Sequence, residues 1–308
     1  MSELRFDGRV AVITGGGRGL GRSYALLLAS LGAKVVVNDP GGAIVGEGSD
    51  AGPAEAVVAE IVAAGGAAIA NLDTVATPEG GAAIVQAALD TWGRIDILIH
   101  SAGNVRYGSL RDLSIADFEA VLDVHLRGAF HVVRAAHPVM CDAGYGRIVL
   151  TSSVGGIYGN IRCVNYGVAK SAMIGLANVA ALEGEAHDVK CNVIVPSAVT
   201  RMAEGIDISQ YPPMEPELVA PAVGWLCHEK CSLNGELLAA IGGRVARVFV
   251  AETPGIYQPS WTVAEIDARM PEILAGEPLD FGLHGHVGHI QYSFAMARSG
   301  VPGNAEGF

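Results

Sequence analysis

Short apolar runs and amphipathic stretches alternate along most of the chain. Arg9 to Thr14 (RVAVIT) is an unbroken apolar run, the pattern of a buried parallel strand. A glycine-rich turn follows, and then Tyr24, Leu27, Leu28 and Leu31 recur at helical spacing, with Gly32 placed to end the helix. The pattern repeats. It predicts strands over 34–38, 67–72, 95–100, 147–151 and 190–195, and helices over 54–64, 79–92, 129–141 and 166–184. A further helix starts at Ser114, with Asp117 placed to complete its cap and Phe118, Val121, Leu122 and Leu126 facing inward. Strand–helix alternation of this kind predicts an α/β fold, a doubly wound parallel sheet with helices on both faces.

Composition narrows the function. Half of the 308 residues are apolar and 17% are charged, which suits a packed core and argues against disorder. The net charge of −12 argues against nucleic-acid binding, although a local basic pocket would still take an anionic small substrate. The N-terminus runs into a strand without the pattern of a signal peptide, and no run is long and apolar enough for a membrane span. The five scattered cysteines suit reduced thiols, so a cytoplasmic location is expected. Cys227-His-Glu-Lys-Cys231 lacks a second pair of ligands, which favours buried thiols over a metal site, and no metal is expected.

The glycine turn carries the first chemistry. Gly15, Gly19 and Gly21, with Arg18 and Leu20 between them, sit between a strand and a helix. Glycines there let backbone approach a pyrophosphate, and the helix start offers free N–H groups and a favourable dipole. Asp39 ends the second strand, 18 residues past Gly21, where an acidic side chain would bond the adenosine ribose. A carboxylate there repels a 2′-phosphate, so NAD is the expected cofactor, with Arg18 a weak opposing signal. A long glycine-rich loop follows over 41–53. Asp73, Thr74 and Val75 end the third strand near the adenine, and Ser101, Ala102 and Gly103 form the turn after the fourth.

The second chemistry lies in TSSVGGIYGNIRCVNYGVAK. Tyr166 and Lys170 share one helix face, and Ser153 closes the strand thirteen residues upstream. Removing a hydride from a secondary alcohol requires a base for its proton. A phenol acting near pH 7 needs its pKa depressed by roughly three units, about 4 kcal/mol. A nearby ammonium and a cationic nicotinamide both favour phenolate. Tyr166 is then the base, Lys170 lowers its pKa and bonds the nicotinamide ribose, and Ser153 orients the substrate. Ser152 points to the opposite strand face.

In this order the motifs resemble those of the short-chain dehydrogenase/reductases over about residues 5–250. The chain also resembles the (3R)-hydroxyacyl-CoA dehydrogenase domains of type 2 multifunctional enzymes, through RFDGRV, VVVNDPGG, WGRID, VHLRGAF, GIYGN and WLCHE. The resemblance implies a Rossmann-type fold and a homodimer or homotetramer. It also implies a loop at Pro196, Val199 and Thr200 that closes on the nicotinamide and diphosphate. Its implied substrate is a hydroxyacyl-CoA, with a hydroxysteroid or another bulky alcohol as the alternative. A non-catalytic dinucleotide-binding subunit is the reading from another class. The chain departs from the family at His100, which replaces an Asn, and at His125, which the closer subgroup shares. His125 either holds a water in a proton relay behind Lys170 or is a core histidine bonded to backbone. Arg201–Pro216 is expected as a substrate lid. Arg106, Arg162 and Arg201 are either CoA-phosphate contacts or solvated surface groups. Residues 251–308 read as an extension with a helix over 265–274. Its His284, His286 and His289 read less as a metal site than as cover for the cleft or a partner contact.

Overall fold

The computed structural model describes residues 4–200 and 212–299. Eight strands form one sheet in the order β3-β2-β1-β4-β5-β6-β7-β8. The strands are β1 (Val10–Thr14), β2 (Lys34–Asn38), β3 (Ala67–Asn71), β4 (Ile97–His100), β5 (Gly146–Thr151), β6 (Val189–Ser197), β7 (Leu237–Ile241) and β8 (Arg244–Val248). From β3 through β7 every recorded pairing is parallel. The order reverses on either side of β1, and β1 and β4 flank the crevice where open α/β sheets bind ligands. β7 and β8 were not foreseen from the sequence. They are joined through Gly242 and Gly243, both at positive φ, as a two-residue hairpin turn requires.

α1 (Gly19–Ser30), α2 (Gly52–Ala63) and α8 (Ala220–Cys227) cover one face. Tyr24, Leu28, Val57, Ile61, Val223 and Leu226 pack there on Ile13, Val35, Ile97, Val149 and Ile194. The opposite face carries α3 (Pro78–Trp92), α4 (Ile115–Leu122), α5 (Gly128–Ala143) and α7 (Val164–Gly184). The two helices expected around residue 125 are joined without a break by a π-helical turn, Asp123–Arg127. Such a turn inserts one extra residue and is frequent at functional sites. β4 starts at Ile97 rather than Ile95, because Asp96 turns its carboxylate onto Arg9, Arg94 and the Val10 N–H. Cys227 and Cys231 are buried, and His228 bonds backbone at Arg5 and Lys230, so CHEKC is a packed corner.

The chain divides into two compact units, Met1–Arg247 and Val248–Phe308. In the second, α9 (Val263–Ile273) starts at a capping box formed by Thr262 and Glu265. The last helix, α10 (Gly285–Ser299), carries His289, which meets Glu252 at 2.6 Å. Tyr292 bonds the Pro254 carbonyl. Among the described residues no three His, Cys, Asp or Glu side chains stand together as a metal site needs, and no helix is long and apolar enough to cross a membrane.

Asp96 is 2% exposed and accepts from two arginines and a strand N–H. Asp96→Ala strands those donors at the base of β1 and should cost about 3 kcal/mol, read from denaturant unfolding.

Candidate active site

The glycine turn is packed too closely on neighbouring backbone to carry side chains. A Cβ on Gly15 would lie 2.7 Å from the Ala102 nitrogen, and one on Gly21 would lie 2.1 Å from the Gly15 carbonyl oxygen. Gly15 also sits at φ +67°. Arg18, at the N-cap of α1, makes no side-chain cap bond, so the first N–H groups of the helix are left for a ligand. Asp39 lies against this turn. Its carboxylate accepts from Gly17 N–H at 3.1 Å and from Gly41 N–H at 2.8 Å. Thr200 meets the other side, since a Cβ on Gly19 would touch its methyl group at 3.2 Å. The loop after β6 therefore reaches the turn, with Pro196 at the strand end and the Val199 N–H bonded to the Met214 carbonyl. Leu20 packs on the core beneath.

At the β3 edge Asp73 takes a bond from Asn71 and gives its own carbonyl to Asn38. Val75 is buried, with its carbonyl on His131, and Thr74 accepts from Ala76 N–H. The Ser101–Gly103 turn is held by Thr14, whose hydroxyl accepts from Ala102 N–H and meets His100 Nδ1 at 2.9 Å.

The second cluster sits at the end of β5. Ser153 caps α6 (Val154–Ile157), its hydroxyl accepting from Gly155 N–H, and it also meets the Tyr166 phenol. Tyr166 lies in the first turn of α7. Lys170, one turn on, is 3% exposed, and its ammonium donates to the Thr151 carbonyl at 2.7 Å. It stands 5.6 Å from the centre of the Tyr166 ring. Ser152 points away from Tyr166 and donates to the Lys170 carbonyl at 2.7 Å. Ser153, Tyr166 and Lys170 thus converge at the carboxyl edge of the sheet.

His125 is buried in the π-helical turn, edge-on to the Tyr166 ring at 5.4 Å. Its Nε2 lies 2.8 Å from the Asn104 carbonyl oxygen, the backbone-bonded arrangement. Burial, with the Lys170 charge second, pushes its pKa well below the usual histidine range. Burial and the same charge take His100 down to about 3.

Burial raises Tyr166 above the usual tyrosine value, opposed by the Ser153 hydrogen bond and reinforced by Tyr107 and Cys163. Burial also lowers Lys170, to about 7.

Arg106 is not a free cation at the mouth of the cleft. Its guanidinium bonds Asp117, Glu47 and the Val45 carbonyl. Arg162 sits at φ +63°, and its carbonyl accepts from Gly108 N–H. Arg201 and most of the expected lid lie outside the described residues. Asn165 escaped the sequence reading. Its amide donates to the Arg106 and Asp117 carbonyls and accepts the Tyr166 N–H, which fixes the start of α7. Its only signal was an amide placed next to the tyrosine.

Comparison with known proteins agrees with this geometry. The profile of the short chain dehydrogenase family matches residues 9–209. The chain belongs to that family. It is therefore an oxidoreductase acting on CH–OH groups. It is 48% identical over 261 residues to the peroxisomal multifunctional enzyme type 2 of Drosophila melanogaster, covering 84% of this chain and 43% of that one. The chain thus spans less than half the length of that relative. The solved full-length structure of the Drosophila enzyme superposes with a TM-score of 0.79 at 37% identity, over 96% of this chain and 50% of that one. A 7α-hydroxysteroid dehydrogenase, solved with NADH and 7-oxo glycochenodeoxycholic acid, superposes at 0.71 and 28% identity, over 79% of this chain and 98% of that one.

The pKa of Lys170 makes stability depend on pH. The folded state binds fewer protons than the unfolded state between about pH 7 and the ordinary lysine value near 10.4, so stability should rise with pH across that window. Melting of the ligand-free protein from pH 6 to 10 measures it, and Lys170→Met should flatten the rise.

Proposed function

We propose that the chain oxidises the hydroxyl of a (3R)-hydroxyacyl-CoA to the 3-oxoacyl-CoA, using NAD. The observation that carries the chemistry is the meeting of Ser153, Tyr166 and Lys170 at the sheet edge that also holds the glycine turn. Gly15, Gly19, Gly21 and Thr200 fit a diphosphate, Asp39 the adenosine ribose, and Ser101, Ala102 and Gly103 the middle of the crevice. The family and the NADH-bound hydroxysteroid dehydrogenase support a nicotinamide dinucleotide here. Asp39 supports NAD over NADP, since its carboxylate, held by two N–H groups, repels a 2′-phosphate.

A bound nicotinamide would supply the hydride acceptor and a positive ring charge. The chain supplies the proton acceptor and the positioning. The Ser153 hydroxyl donates to the substrate oxygen and orients it. The Tyr166 oxygen takes the hydroxyl proton, and in the reverse direction returns one to the carbonyl. Lys170, anchored on the Thr151 carbonyl, adds positive charge behind the phenol and favours the phenolate.

The acyl-CoA assignment rests on the likeness to the type 2 multifunctional enzymes. A hydroxysteroid substrate is the second reading, favoured by the hydroxysteroid dehydrogenase neighbour. We also propose a homodimer or homotetramer in the cytoplasm, with α5 and α7 as the pairing face, where Phe130, Val168 and Val179 are exposed.

The test is NADH production from NAD and a panel of (3R)- and (3S)-hydroxyacyl-CoAs of several lengths, steroid-linked thioesters and free hydroxysteroids. Turnover confined to the 3R thioesters is expected. Turnover of free steroids alone would remove CoA from the account. Tyr166→Phe should lower turnover by at least about a thousandfold while NAD still binds, as seen by quenching of protein fluorescence. Asp39→Ser should raise kcat/KM for NADP relative to NAD by about tenfold or more, measured by initial rates with each cofactor.

A further inference from the structure

The loop between β2 and α2 does more than join them. Its ends are tied by Asp50 N–H donating to the Pro40 carbonyl, and Gly41 takes φ +77° to make that closure. From the end of β2 the segment passes the glycine turn, where Arg18 Nη1 donates to the Gly42 carbonyl at 3.1 Å. It then reaches the chain beyond β4. There Val105 N–H donates to the Ile44 carbonyl at 3.1 Å. Gly46 lies so close to Asn104 that a Cβ would stand 2.6 Å from its amide nitrogen. β2 and β4 flank β1 in the sheet. A segment running from one to the other must cross the end of β1, which is the mouth of the dinucleotide crevice.

One side chain gathers the far end of this strap. Arg106 Nε donates to the Val45 carbonyl at 3.1 Å, and Nη2 meets Glu47 at 3.2 Å. Nη1 holds Asp117, in the first turn of α4, at 2.8 Å. The Arg106 carbonyl is in turn bound by Asn165, whose side-chain oxygen receives the Tyr166 N–H. The strap therefore hangs from the same scaffold that positions the catalytic tyrosine. It buries almost nothing of its own, since residues 43 and 45–50 are exposed. Polar contacts hold it, not a core, and such segments open locally at low cost.

We propose that Arg106 is a positioning residue that latches residues 41–50 across the cofactor crevice and so sets the rate at which dinucleotide enters and leaves. This rests on the proposal that the crevice binds a nicotinamide dinucleotide. With the latch closed, the strap roofs the glycine turn. Release requires the Arg106 contacts to Val45 and Glu47 to part, while Asp117 and Asn165 keep the arginine in place for reclosure.

Stopped-flow release of NADH from the full chain, chased with excess NAD, tests this. Arg106→Lys loses the forked contacts and should release NADH about tenfold faster, with entry accelerated as well and Kd changed much less than the rates. Glu47→Gln removes only the exposed arm of the latch, at a position where folding is not in question, and should speed release about two- to fivefold. Added salt should accelerate release from the unaltered protein but hardly from Glu47→Gln. Release rates in both variants within experimental error of the unaltered protein, with the salt response unchanged, would overturn the latch. A purely structural Arg106 would lower the melting temperature of Arg106→Lys and leave release from the folded protein alone. Failure of the unaltered protein to bind NADH at all would overturn the cofactor reading instead, and the latch with it.

Discussion

A nearly buried ammonium is the constraint around which the site is built. Lys170 is 3% exposed, and burying an unpaired cation costs several kcal/mol, which is why its pKa falls to about 7. The surroundings limit that cost by fixing geometry. The last carbonyl of β5 accepts a hydrogen bond from the ammonium, and the Ser152 hydroxyl donates to the Lys170 carbonyl. Gly156 leaves room for the Lys170 stem, since a Cβ there would stand 2.6 Å from the Lys170 Cβ. The strand end, the short turn and α7 are thereby locked to one another. Ser153 then has one place to go. Strand alternation sends Ser152 toward the helix backbone, and the next residue is delivered to the phenol.

Much of this was legible in the sequence because it depends on local spacing. The pairing of Tyr166 with Lys170 follows from the helical repeat, and the glycine turn follows from a strand and a helix on either side of it. β1, β2 and α1 are where the apolar pattern put them, because buried parallel strands read as unbroken apolar runs and Gly32 takes the φ of +100° that a helix stop requires. β8 was missed because it is a largely exposed edge strand with charged positions and no apolar run; β7 is a short buried apolar run, and an apolar run of that length also reads as part of a helix.

What stayed hidden depends on contacts distant along the chain. The Arg106 guanidinium finds its partners 11, 59 and 61 residues away, and no spacing announces that. The π-helical turn inserts its extra residue into a stretch whose periodicity reads as two ordinary helices, and this insertion turns His125 inward against Tyr166. The electrostatics were hidden for a related reason. A sequence shows that an ammonium and a phenol share a helix face, but not that the ammonium is buried and the phenol partly so.

That burial decides which form of the site the chain itself prefers. With Tyr166 pushed upward and Lys170 pushed down to about 7, the low-charge arrangement is favoured near neutrality, a protonated phenol beside a lysine that has partly given up its proton. A phenol in that state is an acid ready to donate, not a base ready to accept. The phenolate needs further positive charge beside it, and the oxidised form of a nicotinamide cofactor carries that charge while the reduced form does not. On the proposed reaction, basicity at Tyr166 would therefore belong to the filled site rather than to the chain alone. The same three residues would serve oxidation when the ligand brings a cation and reduction when it does not.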